Sequence, residues 1–153
     1  MHPLFLADRS IRIDVNRSHT LSRLIEAGGF RFAHPKITSE RFPMNFGERT
    51  TADIRFVMIE RNQRAGTPEI LDWMSGKGLR AADLVDLLSM AAAVPRIFLP
   101  RIPRALGSIW QDANGEAFVV GCGLTRERVL RFSHLRWEPW WSAASDCFPC
   151  VAA

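Results

Sequence analysis

The chain predicts a single α+β domain. Its sheet is mostly antiparallel, ends in a C-terminal strand meander, and packs against a short N-terminal helix and an αα-hairpin over residues 67–93. Three observations predict this. The order of elements is strand, helix, strand, two helices and then a run of strands, so helices and strands are segregated rather than alternating. Asn114-Gly115 sits between two apolar runs, the strongest short hairpin signal. The clearest helical signals all precede residue 95.

Each element follows from local pattern. Residues 10–15, SIRIDV, place Ile11, Ile13 and Val15 on one face and polar residues on the other, a half-buried strand. Ser18 or Thr20 caps a short helix carrying Leu21, Leu24 and Ile25, and Gly28-Gly29 stops it. Residues 30–49 are irregular and fold Phe42 into the core. Residues 50–61 form a longer strand, apolar on one face and mixed on the other, hence interior or partly covered. Thr67 caps a helix with Pro68 at its first position and Glu69 at the positive end of its dipole. It ends at Gly76-Lys77-Gly78. A second helix runs from Ala81 to Ala93, with Asp83, Asp86 and Ser89 as one narrow polar stripe on an otherwise apolar surface.

Residues 95–104 carry three prolines with Arg96, Arg101 and Arg104, an extended connector rather than a separate domain. The hairpin follows, then a third strand of mixed periodicity over residues 126–137. Last comes a Trp-rich tail in which CFPCVA forms an edge strand broken by Pro149. The 153 residues fit one domain.

Composition excludes several classes. Hydrophobic residues at 47% and charged residues at 24% are globular values, which argues against disorder. The apolar patch Leu4–Ala7 is shorter than the ~7–15 apolar residues of a secretory signal. The uncharged stretch 87–95 is far below the ~20 residues of a spanning helix. Three cysteines without a signal then imply reduced thiols and a cytoplasmic setting.

The charge is +4, from 18 Arg and 2 Lys against 16 acids. Nucleic-acid binders cluster such charge, whereas here Arg is scattered from Arg9 to Arg136. The segment most like a helix-turn-helix, residues 81–95, has no Arg, Lys, Asn or Gln to read bases and carries two Asp. The proline-stiffened Arg96, Arg101 and Arg104 are better candidates for a partner, because a rigid backbone lowers the entropy lost on binding. Trp137, Trp140 and Trp141 form an aromatic cluster of the kind that anchors interfaces, or else caps one end of the core.

No catalytic constellation stands out, and the four histidines are far apart. Cys147-Phe148-Pro149-Cys150 has no helix after it to lower a thiol pKa, so thioredoxin-like chemistry is discounted. Cys122, His134, Cys147 and Cys150 make a Cys₃His set for zinc only if the fold brings them together. Gly121-Cys122-Gly123 has Arg126 where a dinucleotide fingerprint needs its third glycine.

Four segments, in this order, resemble a group of small bacterial proteins, about 150 residues long, with no known activity. They are Ile37-Thr-x-x-x-Phe-Pro43, Gly78-Leu-Arg-Ala-Ala-x-Leu-x-x-Leu-Leu88, Ala105-Leu-Gly-Ser-Ile-Trp110 with Gly115 after it, and the aromatic C-terminal strand. Related sequences have Pro where Ala81 or Ala82 stands, and a basic last strand in place of CFPCVA. The resemblance implies a shared α+β fold and transfers no site residue.

The function expected is a non-enzymatic binding or interaction module, without cofactor, serving as an accessory protein of a phage, mobile element or stress locus. Its partner is expected to be a protein. A nucleic-acid-associated protein with an Arg-rich surface is the alternative, and a small zinc protein or enzyme the second alternative.

Overall fold

Strands contribute most of the regular structure in the computed structural model, which describes residues 2–44, 47–94, 101–124, 128–135 and 140–153. The chain runs β1 (Leu4–Val15), α1 (Leu21–Ala27), β2 (Phe32–Ala33), β3 (Thr50–Ile59), β4 (Arg64–Ala65), α2 (Thr67–Gly76) and β5 (Leu79–Ala81). It continues as α3 (Leu84–Ala93), β6 (Ile102–Gln111), β7 (Ala117–Gly123), β8 (Val129–His134), β9 (Trp141–Ser142) and β10 (Asp146–Ala152). One sheet has the order β1-β3-β10-β6-β7-β8-β2, with β5 also paired to β10, and β4-β9 form a small second sheet. Pairing is antiparallel except between β10 and β6 and between β2 and β8. The fold is a single α+β domain with a β6-β7-β8 meander, as the sequence predicts.

Alternation along β3 separates two cores. Ile54, Phe56 and Met58 pack with α1 and α3, whereas Val57 and Ile59 pack with α2 and Trp141. Successive side chains of a strand point to opposite faces, so the two clusters lie on either side of the sheet. The expected αα-hairpin is therefore corrected. β5 comes between α2 and α3, pairs with β10, and leaves the helices on opposite faces. Accordingly α3 begins at Leu84, not Ala81. Asp83 caps it in a reciprocal box with Asp86, each accepting from the other's backbone N–H at 2.9 and 3.0 Å.

Helix α1 starts where predicted, with Thr20 accepting from the Arg23 N–H. Helix α2 begins one residue early, because Gly66 is its N-cap. The Thr67 hydroxyl, the expected cap, instead accepts from the Trp141 indole N–H at 2.8 Å. On the other face, Arg128 donates to the carbonyls of Gly28, Ala91 and Val94, satisfying the C-terminal ends of α1 and α3.

Two further expectations change at the C-terminal half. The connector 95–104 gives way to β6 at Ile102, while residues 95–100 lie outside the described residues. The last strand is interior, not an edge: β10 lies between β3 and β6. Pro149 is tolerated because its partner changes there. β10 pairs β6 at residues 146–147 and β5 at residues 150–152. The Pro149 carbonyl accepts from Ala82 N–H on that side, so its missing N–H is directed at the gap between two partners.

Candidate functional site

The residues singled out from sequence do not converge on one surface. Arg96 and Trp137 lie outside the described residues. Trp140 is exposed (59%), and Arg101 is half-buried at the start of β6. Arg104 and Trp141 belong to the interior. Trp141 is fully buried, edge-on to Phe148 at 5.7 Å, and the Arg104 guanidinium lies 5.1 Å over its ring. Arg104 reaches inward because Asp146 is buried beside it and Gly121 leaves room for it on β7. These two side chains support the core and are corrected as surface contacts.

The cysteines divide by strand parity. Cys147 and Cys150 are three positions apart on a strand and so point to opposite faces, Cys147 into the α3 core and Cys150 into the α2 core. Cys122 shares the α3 face with Cys147. His134 is distant from it: Cys122 pairs with Leu130, and His134 is four residues further along β8, roughly 13 Å at strand rise. His134 instead meets the Glu116 carboxylate at 2.5 Å. Among the described residues, no group of three or more His, Cys, Asp or Glu could hold a metal ion. Burial pushes the Cys122 and Cys147 thiols up to about 12 and the Cys150 thiol to about 11. Such thiols are poor nucleophiles at neutral pH.

An aromatic row crosses the meander on the α3 face. Phe118 and Phe132 stack at 4.6 Å, His34 stacks on Phe132 at 5.3 Å, and Arg41 covers the Trp110 ring at 5.2 Å. These ring faces are turned toward one another or covered, so the row closes one end of the core.

The polar stripe of α3 is also turned inward. Asp86 is 1% exposed and accepts from Arg17 at 3.1 Å and Arg80 at 2.9 Å, while Asp83 accepts from Arg17 at 2.9 Å. Burial and the neighbouring Asp83 charge raise the Asp86 carboxyl above the ordinary value. Burial also works to raise Asp83, but the Asp86 N–H and the Arg17 charge outweigh it and leave Asp83 low. The network ties the chain after β1 to the start of α3.

What remains open is the outer side of β1. This 12-residue strand pairs along one side with β3, in register from Ser10↔Arg55 to Val15↔Thr50. Among the described residues no strand pairs with its other side. An irregularity between Leu6 and Ser10 interrupts the ladder and leaves residues 10–15 as the regular stretch. On the solvent face Arg12 pairs with Asp53 at 3.4 Å, and Asp14 with Arg49 at 2.9 Å. On the helix face, Ile13 and Val15 are buried against α1 and α3. A cleft of about 790 Å³ lies where the two faces meet at this end of β1, lined by Ile13, Leu24 and Ser89 from the helix side and by Asp14, Arg49 and Thr51 from the other. Among the described residues the Ser89 hydroxyl has no hydrogen-bond partner, and Ser89 is only 6% exposed. Unpaired strand edges are templates for another chain.

Sequence reasoning found this strand but not its open edge. Alternation reports which face of a strand is buried, whereas edge position is set by the order of strands in the sheet. No family model matches the chain, and no curated protein or solved structure matches it. Among the described residues no helix is long and apolar enough to cross a membrane.

Proposed function

We propose that this protein is a non-enzymatic interaction module that accepts an extended polypeptide strand along the open edge of β1. The observation that carries the reading is the regular stretch Ser10–Val15, paired with β3 on one side only among the described residues. A row of backbone donors and acceptors along an unpaired strand is the chemistry of strand addition. The nucleic-acid alternative has less support. Arg12, Arg17, Arg49, Arg80 and Arg104 each face a carboxylate, so these charges do not add up to one basic face.

Site-specific photo-crosslinking in the native host tests this. A photoreactive side chain at Ser10 or Arg12 is expected to form polypeptide adducts, and the same group at the exposed Asp72 on α2 is expected to form none. Nucleic-acid adducts, or equal labelling from Asp72, would contradict the reading.

A further inference from the structure

Taking the open edge as the interaction site, we propose that its occupant is a second copy of this chain. The two β1 strands pair antiparallel about a two-fold axis through Ile13, joining two sheets into one. The inference rests on the preceding reading and adds the identity of the strand that docks.

The sequence of the regular stretch is complementary to itself at that centre. With Ile13 on the axis, Arg12 of one copy stands opposite Asp14 of the other, and Asp14 opposite Arg12. Ile11 stands opposite Val15, and Ser10 opposite Asn16. Two opposite-charge pairs then lie on the solvent face, where Arg12 and Asp14 are exposed. The apolar pairs lie on the face that Ile13 and Val15 already bury. Directly opposed charges of unlike sign favour a strand pair, and like charges oppose it.

The other centres fail on opposed like charges or on register, and Val15 on the axis would pair residues beyond the end of β1, with Ile13 against Arg17. Arg12 on the axis sets Arg12 against itself, and Asp14 on the axis does the same for Asp14. Ile11 on the axis sets Asp8 against Asp14. Ser10 on the axis brings Asp8 to Arg12 but requires pairing through the irregularity between Leu6 and Ser10. A centre between two residues puts polar side chains opposite apolar ones, which the buried face forbids. About Ile13 only five residue pairs fall within β1, a small seam, so the dimer is expected to dissociate at about 10 µM rather than to be permanent.

Charge reversal read by sedimentation tests the register. Arg12→Asp sets Asp against Asp14 twice, and Asp14→Arg sets Arg against Arg12 twice. Each is expected to weaken the dimer by about tenfold or more, and the combined swap is expected to restore it. Both residues are exposed, and thermal unfolding of each variant checks that it remains folded. Hydrogen exchange of the β1 amides in the intact chain separates the remaining outcomes. A chain that stays monomeric to about 1 mM, with alternate β1 amides exchanging freely, overturns the second copy but leaves the edge open to another strand. A monomer whose β1 amides are all protected has that edge covered by its own residues, and both readings fall. A dimer indifferent to the three variants uses another surface, and the proposal falls.

Discussion

Arg104 and Asp146 form a buried ion pair at the seam between β6 and β10, with the guanidinium Nε donating to the carboxylate at 3.2 Å. The two ends are not equivalent. Asp146 also accepts from the Ser142 N–H at 3.1 Å and the Ser145 hydroxyl, whereas Arg104 also donates to the Ser133 hydroxyl and lies over Trp141. Asp146→Ala leaves a buried guanidinium without its carboxylate and should cost about 3–5 kcal/mol. Arg104→Met leaves a carboxylate with two donors and an apolar filler over Trp141, and should cost about 1–2 kcal/mol. Urea unfolding of the two variants measures the asymmetry, and equal losses would contradict it.

Glycines at two positions keep β6 in place. At Gly121 an added methyl would stand 2.9 Å from the Arg104 guanidinium and 3.0 Å from Ile102 Cγ2. At Gly107 it would stand 2.6 Å from the Ala81 carbonyl oxygen and 2.8 Å from that of Ala82, where Gly107 N–H already donates to Ala82. A side chain can swing and a paired backbone cannot. Gly121→Ala should therefore cost about 1–3 kcal/mol and Gly107→Ala more. Comparing midpoints of chemical unfolding decides the order, which is the point at issue.

The three thiols should be silent in the folded protein and audible at alkaline pH. With Cys122 and Cys147 pushed up to about 12, their thiolate fraction at pH 8 is about 10⁻⁴. Alkylation at pH 8 should then require unfolding, and rapid labelling of native protein would contradict the burial. The linkage has a definite sign. The folded values lie above the ordinary thiol value of 9.0, so the folded chain holds protons that the unfolded chain releases. The stabilisation is complete below pH 9 and declines from there by about 1.4 kcal/mol per pH unit for each thiol, up to about 11 for Cys150 and about 12 for Cys122 and Cys147. Cys122→Val should flatten that decline in a pH series of unfolding free energies.

Asp86 joins three functions in one side chain: it closes the capping box and receives both Arg17 and Arg80. Asp86→Ala should cost about 3 kcal/mol, since it leaves two cations short of a buried partner. Asp83→Ala removes the cap and one Arg17 contact from a half-exposed position and should cost about 1–2 kcal/mol. If the two losses prove equal by thermal unfolding, Asp86 does not organise the junction between β1 and α3.

The sequence reading succeeded where chemistry is local. Thr20, Pro68, Gly115 and the alternation of Ile54, Phe56 and Met58 each specify their own element, and the structure places those elements as expected. It failed where long-range pairing decides. Residues 79–81 read as part of a helical hairpin, but pairing with β10 draws them into the sheet. Pro149 argued for an edge strand because it lacks an N–H. The change of partner from β6 to β5 removes that objection, and nothing near residue 149 announces it. Arg104 read as a surface cation because its carboxylate is 42 residues away. The Asn-Gly turn was right in place and different in form. Of Asn114 and Gly115 only the glycine has positive φ, and Asp112 accepts from the N–H groups of Asn114 and Glu116. The candidate edge escaped for the same reason: alternation in SIRIDV is visible locally, but that β1 has one strand neighbour among the described residues is a property of the whole sheet.

Residue-resolved hydrogen exchange across Ser10–Val15 tests the central claim most directly. In a strand paired on one side, amides alternate between bonded and solvent-facing. At concentrations of about 1 µM, below the expected association, the account predicts an alternating pattern, with every second amide protected and those between exchanging near the rate of an open chain. Uniform protection of all six amides at that dilution would show that β1 has no free edge, and would contradict the account.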